Sequence, residues 1–235
     1  MEGGVSGIVS RAAVLAGCVV VALGLALVAS TLGTEHAYGR LSREVVHDGD
    51  GVDWDVLGSA DEPVVGWVSV ENTAIDYPVV QGDDEYYLSH DLWGNQSEAG
   101  CPFLAAGASP DVGAQLVFGH HMAYTTAMFS ELSDAWGQEA FEGIGDCVWA
   151  TRRQLVRLEP LCALRVDAAD EDVRRVSFSG AAEMRAWLGG LAGRASARVP
   201  SWMERASRVT RVVTLVTCSS NVTGQRWRTA VVFAR

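Results

Sequence analysis

At 235 residues, 49% hydrophobic and 20% charged, the chain has the size of one globular domain with an appendage. A net charge of −11 and a pI near 4.8 exclude a nucleic-acid partner held on a basic face. All 18 basic residues are arginine, so no lysine can act as a catalytic amine.

From Ala12 to Leu32 no charged residue occurs, and the run is rich in Val, Leu, Ala and Gly. It is long enough to cross a bilayer core of ~30 Å. It also exceeds the ~7–15 apolar residues of a signal-peptide core, which favours an uncleaved anchor, although the small residues Ala29, Ser30 and Thr31 would suit a cleavage site. With Arg11 on its N-terminal side, the run predicts residues 1–32 as a cytoplasmic tip and transmembrane signal anchor. Residues 33–63 are polar, carry a predicted short helix around Tyr38 to Val46, and read as a stalk.

From Val64 the pattern turns to short β-rich runs at Val64–Val70, Tyr77–Val80, Pro102–Ala105 and Ala114–Phe118, separated by Gly, Asn and Asp signals. The acidic cluster Asp83-Asp84-Glu85 lacks the alternating ligands and glycine of a calcium loop and reads as solvated. Thr125 to Ile144 predicts one or two short helices with Met128, Leu132, Trp136 and Phe141 in the core. Strands are predicted at Cys147–Ala150, Gln154–Leu158, Leu161–Val166 and Val173–Phe178. Ser177 or Ser179 then caps a predicted helix from Ala181 to about Ala195, whose Met184, Trp187, Leu188 and Leu191 fall on one face. Val209–Cys218 is the penultimate strand and Ala230–Ala234 the last.

Five cysteines, at 18, 101, 147, 162 and 218, show neither a C-x-x-C pair nor zinc-ligand spacing, and they are predicted to be unbridged. Cys218 alone has a chemical context. It ends the run Thr214-Leu215-Val216-Thr217-Cys218, which reads as a buried strand delivering a thiol to its open end. A free thiol needs three things to attack an amide: ionisation, a proton donor for the leaving amine, and positive charge at the developing oxyanion. His120 and His121 are adjacent, so on a continuing strand only one could face Cys218. Arg226 and Arg228 lie two apart on one face, so only one could stand at the height of the thiol. The competing reading of Cys218 is a buried structural cysteine.

Three blocks decide between these readings. Thr214-Leu215-Val216-Thr217-Cys218 with an arginine opening the next strand resembles the active-site signature of sortases, the membrane-anchored cysteine transpeptidases of Gram-positive surfaces. Val65-Gly66-Trp67-Val68-Ser69-Val70, Thr73 to Gly82 and Tyr86-Tyr87-Leu88-Ser89-His90-Asp91 resemble the opening of the class B catalytic domain. Val117-Phe118-Gly119-His120-His121-Met122, followed by Met128-Phe129-Ser130-Glu131-Leu132, is the third. Val216 departs from the Ser usual in class B, and Phe118 from the usual Tyr.

The resemblance implies a mainly β fold with helices. Its elements are a closed sortase-like barrel of about eight strands over residues 64–235, an N-terminal helical segment over 33–63, and a helix before the penultimate strand. It implies Cys218 as nucleophile, His120 as proton carrier, and Arg228, with Arg226 as rival, as the oxyanion partner. Val216, Thr217 and Ser219 beside the thiol are the implied substrate-binding residues. The implied substrate is the sorting-signal peptide of secreted proteins, and the implied acceptor is an amine on a cell-wall peptide or a pilin lysine. No metal or organic cofactor is implied. The domain would stand outside the cell on a single membrane pass. A thiol peptidase that only hydrolyses, and a tethered peptide-binding protein without catalysis, are the alternatives.

Overall fold

The computed structural model describes residues 3–47, 51–58, 64–82, 84–219 and 226–235. Helix α1 (Gly3–Val45) leads into a small hairpin, β1 (Val46–His47) with β2 (Gly51–Val52), and then a single helical turn, α2 (Trp54–Leu57). Asp53 caps α2 by accepting from the amides of Asp55 and Val56 at 3.0 and 3.3 Å. Next come β3 (Val64–Val70), β4 (Asp76–Val80), the turn α3 (Asp84–Tyr87), β5 (Phe103–Leu104) and β6 (Ala114–Phe118). After α4 (Gln138–Glu142) follow β7 (Cys147–Ala150) and β8 (Leu155–Asp167). Finally α5 (Ala181–Arg194), β9 (Ala197–Arg198) and α6 (Trp202–Arg208) precede β10 (Val212–Cys218) and β11 (Trp227–Ala234).

Eight strands close a mixed barrel in the order β11-β10-β6-β5-β4-β3-β7-β8, and β8 returns to β11. Closure pairs both sides of every strand in the ring, which removes the exposed edges that invite aggregation. Among the described residues only β4–β5 and β6–β10 run parallel. β9 extends from β8 outside the ring. The barrel is filled by Phe129, Trp149, Leu158, Leu161 and Phe233, each under 2% exposed.

Two predicted strands, Gln154–Leu158 and Leu161–Val166, are one bent strand. β8 pairs first with β7 and then with β11. Its register against β11 shifts between Val232 and Phe233, so that Leu161 is the extra residue beside Pro160. A proline supplies no ladder N–H, and a bulge is where a strand tolerates one.

The strand predicted at Val173–Phe178 does not form. The Val173 amide donates to Asp170 Oδ1 at 3.0 Å, and Trp187 of α5 takes the Asp172 carbonyl at 2.7 Å. The segment's polar groups are spent on a turn and a helix, while Phe178 packs on Trp187. Helix α5 forms as predicted, but neither serine caps it through its own oxygen. Instead Glu183 accepts from both the amide and the hydroxyl of Ser179 at 2.6 and 2.7 Å. Helix α6, which the sequence reading missed, packs on α5 and β8.

The short helix predicted near Tyr38 is the end of α1, and it is not a free stalk. Thr31, Thr34, Tyr38 and Val45 are buried, with Leu41 half-buried, a spacing that puts one stripe against the barrel. Tyr38 Oη donates to the Gly100 carbonyl and accepts from the Leu92 amide, both at 3.0 Å. Its ring meets Tyr77 edge-on and Trp93 at a tilt. Each buried hydrogen bond contributes about 1 kcal/mol net, whereas orphaning its partner costs about 1–3 kcal/mol.

Among the described residues no helix is long and apolar enough to cross a membrane. The expected transmembrane anchor over 12–32 is therefore not supported by the structure. The side chains at positions 12, 23, 25–27 and 30 lie outside the described residues, so the apolar run is not described as one continuous span. Of those that are described, Thr31 is buried and the others, among them Val14, Leu15, Val19, Val20 and Val21, are exposed.

Candidate active site

Cys218 is the last residue of β10 and is partly exposed. Across the antiparallel β10–β11 pair it stands directly opposite Arg228. Directly opposed residues project from the same face of a sheet with Cβ atoms about 4.5–5.5 Å apart. Arg228 Nη1 donates to the Trp227 carbonyl at 3.1 Å. The rival Arg226 lies one step outside the ladder. Its Nε donates to Asp167 Oδ2 at 2.6 Å, and its guanidinium lies over the Trp227 ring. Asp167 is held below the usual carboxylate range by the Ala169 amide first and by Arg226 second.

On its other side β10 runs parallel to β6, with Val216 paired to Phe118. The ladder continues one step as the Gly119 amide donates to the Val216 carbonyl at 3.0 Å. Carrying that register two residues brings His120 level with Cys218. The thiol is thus flanked by an arginine on one neighbouring strand and a histidine at the end of the other.

β6 ends at Phe118, so strict alternation no longer governs the two histidines, and both are used. His120 Nε2 lies 2.8 Å from the Leu88 carbonyl. A carbonyl only accepts, so Nε2 carries the hydrogen and Nδ1 is the nitrogen left for proton transfer. His121 Nδ1 donates to the backbone carbonyl of Cys218 at 3.1 Å, tying the histidine segment to the thiol residue. The Leu88 and Cys218 carbonyls were not legible as site groups, because a backbone acceptor leaves no mark in residue type.

The block Met128-Phe129-Ser130 explains the glycine before His120. A Cβ on Gly119 would lie 2.6 Å from Phe129 Cδ2, so only glycine lets the ring seat there. The Phe129 amide donates to the His120 carbonyl at 2.9 Å, and the Met128 amide to the Tyr77 hydroxyl at 3.0 Å. Ser130 Oγ accepts from the Met122 amide at 2.8 Å and donates to the Ala127 carbonyl at 2.5 Å, closing the loop that follows the histidines.

Of the three residues expected to bind substrate beside the thiol, Val216 and Thr217 are buried and Ser219 is partly exposed. Val216 and Thr217 are 3% and 2% exposed and fill the barrel wall. Thr217 Oγ1 is buried with no hydrogen-bond partner. Ser219 Oγ lies 2.8 Å from Thr229 Oγ1, which donates to the Ser133 carbonyl at 2.5 Å.

None of the five cysteines is in a disulfide. Burial pushes the Cys162 thiol up to about 12 and drives Cys147 further in the same direction, so neither ionises near neutral pH. Cys101 is buried as well, and Cys18 is exposed on α1. Among the described residues no three His, Cys, Asp or Glu side chains gather to hold a metal ion. The acidic side chains at 83–85 lie outside the described residues.

The chain matches solved structures in shape over most of its length. Staphylococcus aureus sortase B superposes with a TM-score of 0.69, at 19% identity, over 85% of this chain and 97% of that one. The fold is that of sortase B. Clostridium perfringens sortase B matches at 0.63 and 23% identity over 72% of this chain and 92% of that one. Listeria monocytogenes sortase B matches at 0.63 and 18% identity over 78% of this chain and the whole of that one. No protein-family profile and no curated protein matches the sequence. The sortase B likeness is therefore one of three-dimensional fold.

Proposed function

We propose that the chain is a sortase-type cysteine transpeptidase. The observation that carries this reading is the placement of Cys218 between Arg228 on β11 and His120 at the end of β6. The Cys218 thiolate attacks a backbone carbonyl of a sorting-signal peptide, and the Sγ–C bond forms as the carbonyl oxygen takes negative charge. Arg228 supplies positive charge to that oxygen. As the C–N bond breaks, His120 Nδ1 gives its proton to the departing amine, leaving a thioester. An incoming amine, from a cell-wall peptide or a pilin lysine, then attacks the thioester; His120 takes its proton and the thiolate is released.

The fold likeness supports both partners. S. aureus sortase B has been solved with a substrate, and a sortase B with Gly3. The domain acts outside the cell in this reading, and fractionation of cells expressing the full chain tests that placement.

The deciding experiment mixes the protein with quenched sorting-type pentapeptides and an amine acceptor and follows products by mass spectrometry. A peptide–amine adduct that disappears in Cys218→Ala establishes transfer. Cleavage without adduct identifies a hydrolase, and inertness of both proteins across a broad panel defeats the catalytic reading. The histidine roles separate in the same assay. His121→Asn keeps a donor for the Cys218 carbonyl and retains most activity, whereas His120→Asn loses it.

A further inference from the structure

We propose that Tyr38 of α1 is a positioning residue for His120, acting through the loop that carries the Leu88 carbonyl. The proposal rests on the role given to His120 above. Nε2 of that histidine is fixed by Leu88 O at 2.8 Å, so its orientation depends on where residue 88 is held. Leu88 itself is 47% exposed and offers little packing to hold it. Its position is set by the ends of the loop from Leu88 to Cys101.

That loop is pinned on one side by its own backbone. The Cys101 amide donates to the Tyr87 carbonyl at 3.1 Å, and the Ser97 amide to the Ser89 carbonyl at 2.8 Å. Gly100, at φ +60°, permits the closure, because a Cβ there would lie 2.3 Å from the Tyr87 carbonyl and 3.3 Å from the His120 ring. The space beside Gly100 is therefore bounded by both the residue before Leu88 and the histidine.

On the other side the loop is pinned by α1. One hydroxyl, Tyr38 Oη, holds two points of it at once: it donates to Gly100 O and accepts from Leu92 N. Thr34 Oγ1 adds a contact to Ser97 Oγ at 3.2 Å. A cleft of about 650 Å³ opens beside the seam, lined by α1, α2 and residues 91–96, while Tyr38, Leu92 and Ala99 are themselves buried, so the hydroxyl adds directional contacts to apolar packing. The path is short and physical, running from Tyr38 through Gly100 and the loop to Leu88 O and His120 Nε2. It makes the C-terminal half of α1 part of the catalytic apparatus.

The test is Tyr38→Phe in the full chain, which keeps the ring against Tyr77 and Trp93 and removes only the hydroxyl. Two readouts are taken: transpeptidation kinetics, and the NMR ring resonances of His120. The expected result is a kcat lowered roughly tenfold with KM within about twofold, since a slight misplacement of a reacting group costs rate rather than binding. The Nε2–H resonance of His120 shifts as its hydrogen bond to the Leu88 carbonyl is loosened. Unmoved His120 resonances with unchanged kcat overturn the proposal. Resonances that move in a protein with no transferase activity uphold the positioning and reject the transpeptidase reading instead. Should Tyr38→Phe fail to fold, Thr34→Val at the same seam is measured with both readouts. It is expected to move them less and in the same direction, and no movement overturns the proposal.

Discussion

Cys218 and Arg228 are partners in the β10–β11 register, each facing the other across the ladder, while Arg226 is turned to Asp167 two residues away. The two arginines are alike in type and in spacing from the thiol, so only the register distinguishes them. Arg228→Ala is expected to lower kcat by about 10²–10³, the loss typical of one oxyanion donor. Arg226→Ala removes an exposed ion pair and should leave kcat within about twofold, since such pairs contribute little. Single-turnover acylation rates for both variants check this; equal losses would remove Arg228 from its proposed role.

Accessibility divides the thiols just as sharply. Cys101, Cys147 and Cys162 are buried, and burial raises the last two far above neutrality. In the native full chain iodoacetamide at pH 7.5 should modify Cys18 and Cys218 alone, and denaturant should expose the remainder. Peptide mapping by mass spectrometry reads the sites. Modification of Cys147 in the native protein would contradict the closed barrel.

Much of the barrel was legible because closed, helix-covered strands leave short β-branched runs between turn residues, as Val64–Val70 and Ala114–Phe118 do. Residue type alone could not reveal how those runs join. Gln154–Leu158 and Leu161–Val166 read as two strands where the chain instead bulges within one at Pro160, and Val173–Phe178 has strand composition but spends its polar groups on Asp170, Asp172 and Glu183 of α5. The thiol and the histidine pair were visible as types in motifs. The acceptors that orient the histidines, Leu88 O and Cys218 O, are backbone atoms and had no signature. Burial of Val216 and Thr217 was hidden for a related reason, since proximity in sequence to a nucleophile says nothing about which side chains the wall absorbs.

Thr217 carries a buried hydroxyl without a partner beside the nucleophile. An unpaired buried polar atom costs about 1–3 kcal/mol, and an isosteric apolar replacement recovers part of it. Thr217→Val is therefore expected to raise Tm by about 2–4 °C, the shift that 1 kcal/mol produces in a domain of this size. Scanning calorimetry measures it, and a lowered Tm would show that the hydroxyl is satisfied in solution.

Glu183 gives α5 its start, and its pKa is lowered from 4.5 to about 2 by the Ser179 amide first, then the Ser179 hydroxyl and Arg175. A depressed folded pKa stabilises the fold above the unfolded value and loses that contribution as pH falls from about 4.5 to about 2. Glu183→Gln should thus lower Tm at pH 7, with the gap to wild type narrowing through this window and closing below it. A gap independent of pH would mean that the carboxylate's charge is not what caps the helix.

Gly119 offers the most direct test of how the histidine segment is built. Its missing Cβ is the space occupied by the Phe129 ring, and Phe129 is fully buried while its amide holds the His120 carbonyl. Gly119→Ala must push either the ring or the strand end, and overpacking of this kind costs about 1–3 kcal/mol. If the ring yields, the loss appears in stability; if the strand end yields, His120 shifts and the loss appears in kcat. Pairing it with Phe129→Leu, which shrinks the obstructing side chain, should recover part of both, and residues in direct contact are where such non-additivity is expected. Chemical denaturation and transfer kinetics on the two single variants and the double variant measure the coupling. Strictly additive losses would show that glycine stands at 119 for a reason other than the seat of Phe129.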